Sequence, residues 1–232
     1  MMSDDPVEIQ ELKKSAKFFK SQEPLKMPDY YIHNILDIRI DGLWLEFGVW
    51  VGSSARIIAH AMPQHVQALY LSGLPIRNWK DTQYYYGFDS FEGLPEDWLN
   101  PETGEVQSEG TKGYFNLNGR VPEPPLPNIK FIKGWFDQTL PEFAERYNYP
   151  IALMHVDCDL YSSTKTIFDN LHSQIVPGTV IMFDEMYNYS GYQAHEFKAF
   201  KEFVDEYDVA YEWIAHVADG RQASLKITGK GK

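Results

Sequence analysis

Residues Ile151–Ser163 read IALMHVDCDLYSS and are the most informative segment of this sequence. Its first six residues form an apolar run typical of a buried strand. Asp157 and Asp159 follow one residue apart, and the Tyr-Ser-Ser sequence after them can begin a helix. Because open α/β sheets bind ligands at the carboxyl ends of their parallel strands, this stretch predicts both a central strand and the edge of a site.

A second strand of the same kind, Thr179–Phe183, ends at Asp184 and Glu185. If the two strands are neighbours in a parallel sheet, both acids converge with Asp157 at one edge. Carboxylates gathered at one point repel each other, unless a hard divalent cation lies between them or one of them keeps its proton.

Composition sets the class of protein. The 232 residues, 44% of them hydrophobic, suffice for one large α/β domain with its own core. A formal net charge of −12 argues against nucleic acid or an anionic membrane as the main partner. We expect no disulfide, because Cys158 is the one cysteine, and no transmembrane helix, because no apolar run reaches about 18 residues. We expect no signal peptide, because the N-terminus is acidic and polar. The chain is therefore expected to be cytoplasmic.

Residues 1–42 are predicted to form a helical N-terminal arm. A loose apolar stripe runs along residues 1–30, and Pro24 and Pro28 end this helical part. A short helix is predicted to follow over 31–42. We interpret the arm as a packing element or dimer contact. The alternative is a lid that brings Tyr30 and Tyr31 over a substrate.

The strand predicted at Leu43–Phe47 runs into a turn with Gly48 and Gly52, and Ser53 then leads into a helix. This layout suits a nucleotide or cofactor, because glycines let the backbone approach a ligand and the free amides of a helix start face it. The G-x-G-x-x-G fingerprint of dinucleotide sites is absent. Glu46, inside the apolar strand, needs a partner, which is either a ligand ammonium or a lysine or helix start elsewhere in the chain.

After that helix, predicted to end at Met62, residues 63–83 are interpreted as an insertion. The next strand, Tyr84–Phe88, ends at Asp89, which is placed to bind ribose hydroxyls. The Gly-, Pro- and Asn-rich segment 96–127 is predicted to be a long loop, and such loops are often lids.

A third strand, Asn128–Ile132, leads to Trp135 and Phe136, which either flank an adenine ring or belong to the core. Two final strands, Tyr211–Val217 and Ala223–Ile227, are predicted to form a hairpin. The fold class is therefore α/β, with a single doubly wound (Rossmann-like), mostly parallel seven-stranded sheet and an antiparallel C-terminal hairpin.

Five motifs stand at the strand ends in the order EFGVWVGSS, YGFDSFEGLPEDW, GWFDQTLPEF, HVDCDLYSST and PGTVIMFDE. With these motifs, residues 43–207 resemble the macrocin O-methyltransferase family. These are class I S-adenosylmethionine-dependent enzymes that methylate sugar hydroxyls on macrolides and related natural products. The resemblance implies a methyltransferase domain over 43–228, preceded by the arm 1–42 and followed by a frayed tail, 229–232.

The resemblance also implies the residues of two sites. The residues expected to bind S-adenosylmethionine are Glu46, Gly48, Gly52, Ser53, Asp89, Ser90, Gly134, Trp135, Phe136 and Asp157. The ligands expected to hold Mg²⁺ are Asp157, Asp184 and Glu185, the last standing where the family usually carries a second aspartate.

Methyl transfer to an alcohol needs an aligned hydroxyl that loses its proton. Mg²⁺ held by carboxylates can lower the pKa of that hydroxyl, and Asp157 or Asp159 can then accept the proton. His155 lies on the same side of its strand as Asp157, and we interpret it as a hydrogen-bonded core histidine rather than the base. His195 and Glu196 either line the acceptor pocket or begin an exposed helix.

We therefore predict an S-adenosylmethionine-dependent, Mg²⁺-assisted O-methyltransferase that acts on a hydroxyl of a sugar or glycosylated small molecule. A homodimer is expected from the resemblance and from the apolar arm. One alternative is a metal-dependent glycosyltransferase that uses a nucleotide-sugar, because Asp157-Cys158-Asp159 is a D-x-D sequence. The other is a non-catalytic module that keeps the fold and binds a partner.

Overall fold

The computed structural model describes residues 6–15, 27–217 and 219–231. The strands are β1 (Leu43–Phe47), β2 (Tyr85–Asp89), β3 (Ile129–Lys133), β4 (Ile151–Val156), β5 (Val180–Phe183), β6 (Val209–His216) and β7 (Ala223–Lys230). The helices are α1 (Val7–Ser15), α2 (Met27–Asp37), α3 (Ser53–Leu71), α4 (Trp79–Thr82), α5 (Phe136–Arg146), α6 (Tyr161–Leu171) and α7 (Glu196–Tyr207).

The seven strands of the described residues belong to one sheet of order β3-β2-β1-β4-β5-β7-β6. The first five are parallel, and β7 pairs antiparallel with both β5 and β6. The predicted fold class is confirmed. The strand order reverses direction between β1 and β4, and the crevice at such a switch point is where doubly wound sheets bind ligands.

The two faces of the sheet bury different cores, as the two-residue period of a strand requires. Leu43, Leu45 and Phe47 of β1 belong to a cluster that includes residues of α1, α5, α6 and α7. Trp44 belongs to a second cluster with residues of α2 and α3. Glu46 therefore faces the α2–α3 layer, although its neighbours in the strand are apolar.

The helix after the glycine turn is longer than the sequence predicted. α3 continues through Pro63, whereas the prediction ended it at Met62. Its buried face continues past the proline at Val66 and Leu69, so packing outweighs the hydrogen bond that proline cannot make. The first part of the segment 63–83, which was interpreted as an insertion, is therefore the second half of this regular helix.

Among the described residues the N-terminal arm contains two helices, α1 and α2, as the predicted order of a first helical part and a second short helix implies. α2 begins at Met27 instead of residue 31, because Pro28 lies in its first turn, where a missing N–H costs nothing. Ile9 and Leu12 of α1 are fully buried in the chain's own core, which confirms a packing role for that helix. The predicted homodimer contact therefore has no support from these two side chains. The apolar stripe residues Ala16, Phe18 and Phe19, and Pro24, lie outside the described residues.

The predicted frayed tail is wrong for residues 229 and 230. β7 continues to Lys230, which pairs with Val209, while Gly229 pairs with Ala210. β6 begins at Val209, two residues earlier than predicted, and so offers these residues a partner strand. None of the described helices is long and apolar enough to cross a membrane.

Candidate active site

A cavity of about 740 Å³ opens at the carboxyl ends of the parallel strands. It brings together most of the residues predicted for the two sites, and those on its wall are Gly48, Ser53, Asp89, Ser90, Gly134, Trp135, Phe136, Asp157, Asp159, Asp184 and Glu185. Glu46 and Gly52 are not on its wall. One cavity therefore joins the glycine turn after β1 to the acids after β4 and β5.

Glycine is required at position 48 for two reasons. Its φ of +91° lies in the region that favours glycine, and a Cβ there would lie 1.7 Å from the Asp157 carbonyl oxygen. The hydrogen bonding between β1 and β4 also continues past the ends of these strands, since the Asp157 N–H donates to the Phe47 carbonyl oxygen at 2.9 Å. The turn and the first acid therefore lie against each other without a side chain between them.

Asp89 fixes the shape of the glycine turn. Its Oδ2 accepts hydrogen bonds from the backbone N–H groups of Val49 (2.8 Å) and Trp50 (2.7 Å). Its Oδ1 accepts from the N–H of Phe91 at 2.6 Å. Asp89 also lines the cavity, so the predicted role in binding ribose hydroxyls stays open beside this structural one.

Glu46 is fully buried behind the cavity wall. Its Oε1 accepts a hydrogen bond from the Ser54 hydroxyl at the start of α3, and it lies 3.0 Å from Nδ1 of His155. This is the helix-start partner that the sequence left open as one alternative. Binding of a ligand ammonium by Glu46 stays a prediction. His155 is fully buried too, so its interpretation as a hydrogen-bonded core histidine is confirmed.

The two aromatic residues after β3 lie on the cavity wall, and one of them also packs on the core, while adenine binding stays a prediction. Trp135 and Phe136 line the cavity, while the Phe136 ring also packs edge-on against Phe47 of the core at 5.7 Å between centroids. Their position at the start of α5 follows from Gly134, whose φ of +144° turns the chain sharply out of β3.

The acids after β4 and β5 converge as predicted. Val156 pairs with Phe183, so Asp157 and Asp184 follow paired residues of adjacent strands. One carboxylate oxygen of each lies within 4.8 Å of the other and of a ring nitrogen of His155. Glu185 lines the same cavity but is not part of this trio.

Burial dominates the electrostatics of this acid cluster. Removal from water, reinforced by the neighbouring carboxylates, raises the pKa of Asp157 and of Glu185 well above their ordinary values. The Oε2 atom of Glu185 is buried and has no hydrogen-bond partner among the described residues. A cluster of this kind favours either bound protons or a bound cation.

Asp159 differs from the other acids. It lines the cavity, is 7% exposed and has a left-handed backbone with φ of 63°. Burial, and secondarily the charge of Asp184, raises its pKa to about 7, although the nearby Arg221 opposes the rise. A carboxyl group with this pKa can accept a proton near neutral pH.

Glu196 has a role that neither alternative from the sequence anticipated. It is the first residue of α7, but it is fully buried and does not line the cavity. Its Oε1 accepts from the Cys158 N–H at 3.2 Å and its Oε2 from the Glu185 N–H at 3.3 Å. This carboxylate thereby joins the two segments that carry the cavity acids, a link across the chain that no local pattern signals.

The long loop after β2 forms one wall of the cavity. It contains no helix or strand apart from a single bridge between Leu99 and Val106. His195, predicted for the acceptor pocket or an exposed helix start, is instead 8% exposed, and its Nε2 lies 2.8 Å from the Leu99 carbonyl oxygen. Asn100 donates from Nδ2 to the Ser190 hydroxyl at 2.8 Å. These contacts hold the loop in place, and its role as a lid stays a prediction.

Trp50 and Phe115 line the cavity and were not singled out from the sequence. Trp50 and Phe115 both have left-handed backbones, with φ of 46° and 64°, and their rings meet edge-on at 5.6 Å. Strained backbone of this kind clusters at functional sites. Tyr31 of α2 also lines the cavity, while the side chain of Tyr30 is buried next to it and donates to the Phe183 carbonyl oxygen at 3.4 Å.

This sheet order, with flanking helices and an antiparallel C-terminal pair, is the Rossmann-like fold of methyltransferases. The macrocin-O-methyltransferase (TylF) family matches residues 22–213, and the chain belongs to this family of O-methyltransferases. The resemblance stated from the five motifs is therefore confirmed. The family implies S-adenosylmethionine as the methyl donor.

The chain is similar to two characterised proteins at 25% identity. One is the 8-demethyl-8-(2,3-dimethoxy-alpha-L-rhamnosyl)-tetracenomycin-C 4'-O-methyltransferase of Streptomyces olivaceus, matched over 169 residues, 67% of this chain and 57% of that protein. The other is the demethyldecarbamoylnovobiocin O-methyltransferase of Streptomyces niveus, matched over 210 residues, 82% of this chain and 68% of that protein. This chain therefore spans little more than half the length of the first relative.

Among solved structures, a calicheamicin methyltransferase has a similar fold. The TM-score is 0.57 at 21% identity, over 97% of this chain and 94% of that one.

Proposed function

We propose that this protein transfers a methyl group from S-adenosylmethionine to a hydroxyl of a sugar on a glycosylated small molecule, with the help of a divalent cation such as Mg²⁺. The observation that carries the proposal is the single cavity that joins the glycine turn to the acid cluster. Family membership supports the reaction class and disfavours the D-x-D glycosyltransferase alternative. The rhamnosyl acceptor named for the Streptomyces olivaceus relative supports a sugar hydroxyl.

The cavity suits the methyl donor. Gly48 and the turn after it line the cavity, and Ser53 and Ser54 at the start of α3 line the same wall. Trp135 and Phe136 offer aromatic surface for a base, and Asp89 offers carboxylate oxygens for hydroxyl groups. The donor, when bound, supplies a methyl group on a positively charged sulfur, and these residues align it with the acceptor.

The acid cluster suits a divalent cation. Asp157 and Asp184 would hold it, and the partnerless Oε2 of Glu185 makes that carboxylate a candidate third ligand. A cation held there would lower the pKa of the acceptor hydroxyl and orient it. Asp159, whose pKa is about 7, would accept the proton of that hydroxyl, with Asp157 as the other candidate base.

Methyl transfer to TDP-rhamnose, the substrate in the name of a 3'-O-methyltransferase of calicheamicin biosynthesis with a similar fold, and to rhamnosylated aglycones tests this function directly. We expect label from methyl-labelled S-adenosylmethionine to appear in the sugar. Asp157→Asn and Asp184→Asn should each lower turnover by about 100-fold or more while S-adenosylhomocysteine still binds. The surface variant Asp205→Asn is the matched control, since that carboxyl side chain is 73% exposed. Full turnover in both acid-cluster variants would refute the metal-assisted mechanism.

A further inference from the structure

We propose that His155 is a nitrogen ligand of the cation in this site, held in place by Glu46, and that the site therefore prefers Mn²⁺ to Mg²⁺. The proposal rests on the divalent cation of the proposed function, and it names a ligand and a metal preference that the carboxylates alone do not imply.

The trio of potential ligands contains His155 in place of Glu185. A ring nitrogen of His155 and one oxygen each of Asp157 and Asp184 all lie within 4.8 Å of one another. The placement follows from the sheet, because His155 and Asp157 are two residues apart and so face the same side of the chain. Asp184 joins them from the residue after β5, the neighbouring strand.

One nitrogen of His155 is already used and the other is available. Nδ1 lies 3.0 Å from Oε1 of Glu46, which leaves Nε2 as the free nitrogen. Nε2 has no hydrogen-bond partner among the described residues, although it belongs to a fully buried side chain. A buried nitrogen without a partner is costly, and a metal ion would satisfy it.

The contact with Glu46 is what metal-binding histidines usually require. Such a histidine gives its other ring N–H to a carboxylate, which fixes the tautomer and the ring orientation and makes the ligating nitrogen more basic. Here Glu46 and His155 are paired residues of β1 and β4. The Tyr31 ring packs edge-on against the imidazole at 5.4 Å between centroids, which further restricts the ring. The contact between Glu46 and His155 is therefore in place without a bound cation.

A nitrogen donor changes which cation the site prefers. Mg²⁺ binds almost entirely through oxygen, whereas carboxylates combined with imidazole suit divalent ions of the first transition series. Mn²⁺ accepts both donor types and is the member of that series closest to Mg²⁺ in its chemistry. The site is therefore expected to bind Mn²⁺ more tightly than a site made of carboxylates alone would.

Calorimetric titration of the full chain with Mn²⁺ and with Mg²⁺ tests the preference. We expect Mn²⁺ to bind the wild type at least about tenfold more tightly, and His155→Gln, which offers oxygen instead of nitrogen, to lose about tenfold or more of the Mn²⁺ affinity. Glu46→Gln should weaken Mn²⁺ binding by a smaller factor. His65→Gln is the matched control, because Nε2 of His65 in α3 lies 3.2 Å from the Ile38 carbonyl oxygen and the residue is outside the trio.

Electron spin-echo spectroscopy of Mn²⁺ bound to the wild type gives a second readout that needs no variant to fold. Modulation from a directly bound ¹⁴N nucleus is expected, and its absence would overturn the proposal. Equal affinity for the two ions, unchanged in His155→Gln, would overturn it as well. Neither result touches the proposed function, which fails separately if no divalent cation binds or promotes methyl transfer.

Discussion

Asp159→Asn is expected to stabilise the metal-free protein while it removes methyl transfer. The Asp159 side chain is buried, and burial with the nearby Asp184 charge raises its pKa from 3.8 to about 7. Asparagine reproduces the shape of the neutral acid and tolerates the left-handed backbone at this position. The substitution therefore removes an ionisable group without adding backbone strain.

The sign and size of the effect follow from linkage. Because the folded-state pKa of Asp159 lies above the unfolded value, the folded chain holds this proton more tightly than the unfolded chain does. The stability that the bound proton contributes is complete below about pH 4 and is lost as the pH rises through about 7. The pKa rise from 3.8 to about 7, at about 1.4 kcal/mol per unit, corresponds to about 4 kcal/mol over the whole window. Between about pH 5 and about pH 8 the expected loss is about 3 kcal/mol.

Urea unfolding in the presence of a chelator measures this difference. The free energy of unfolding of the wild type should fall more steeply with pH than that of Asp159→Asn, and the gap between them should widen by about 3 kcal/mol from about pH 5 to about pH 8. Asp205→Asn removes an exposed carboxylate and should follow the wild type. If Asp159→Asn loses as much stability with pH as the wild type, Asp159 does not titrate as described.

Three further substitutions test other parts of the site. Gly48→Ala should lower the free energy of unfolding by more than about 2 kcal/mol and abolish binding of S-adenosylhomocysteine, because the alanine Cβ would lie 1.7 Å from the Asp157 carbonyl oxygen. Wild-type stability of this variant in urea unfolding would contradict the prediction. Glu196→Ala should lower the free energy of unfolding by about 2 kcal/mol or more, since it leaves two backbone N–H groups without their acceptor, whereas Glu196→Gln should lower it less. Equal effects of the two substitutions in urea unfolding would argue against the link that Glu196 makes between the two acid-bearing segments. Trp50→Gly should relieve the strain of the left-handed backbone and change the free energy of unfolding by less than about 1 kcal/mol. It should also weaken S-adenosylhomocysteine binding several-fold in calorimetry, because Trp50 lines the cavity. Unchanged binding would show that Trp50 does not contact the ligand.

The strands and the acid edge could be predicted because both are local signals. β4 has the bounds that the sequence predicted, and Asp157 and Asp184 meet because parallel strands carry their carboxyl ends to one edge. The glycine turn was equally visible, since strand, glycine and helix start follow each other without a break. These features depend on residues close together in the chain.

The contacts that complete the site could not be predicted in the same way. Glu46 and His155 are 109 residues apart, and only the β1–β4 register places one beside the other. Glu196 is 38 residues from Cys158, and nothing in its own neighbourhood distinguishes it from an exposed acid at a helix start. The buried face of α3 beyond Pro63 likewise depends on tertiary packing, which overrode the proline.

Calorimetric titration with S-adenosylhomocysteine, with and without a divalent cation, measures whether the cavity binds the methyl donor's product. We expect binding in both conditions, because the glycine turn and the aromatic wall do not depend on the cation, and we expect separate cation binding at the acid cluster. A folded protein that binds no S-adenosylhomocysteine, but is stabilised by a nucleotide-sugar, would contradict the methyltransferase account.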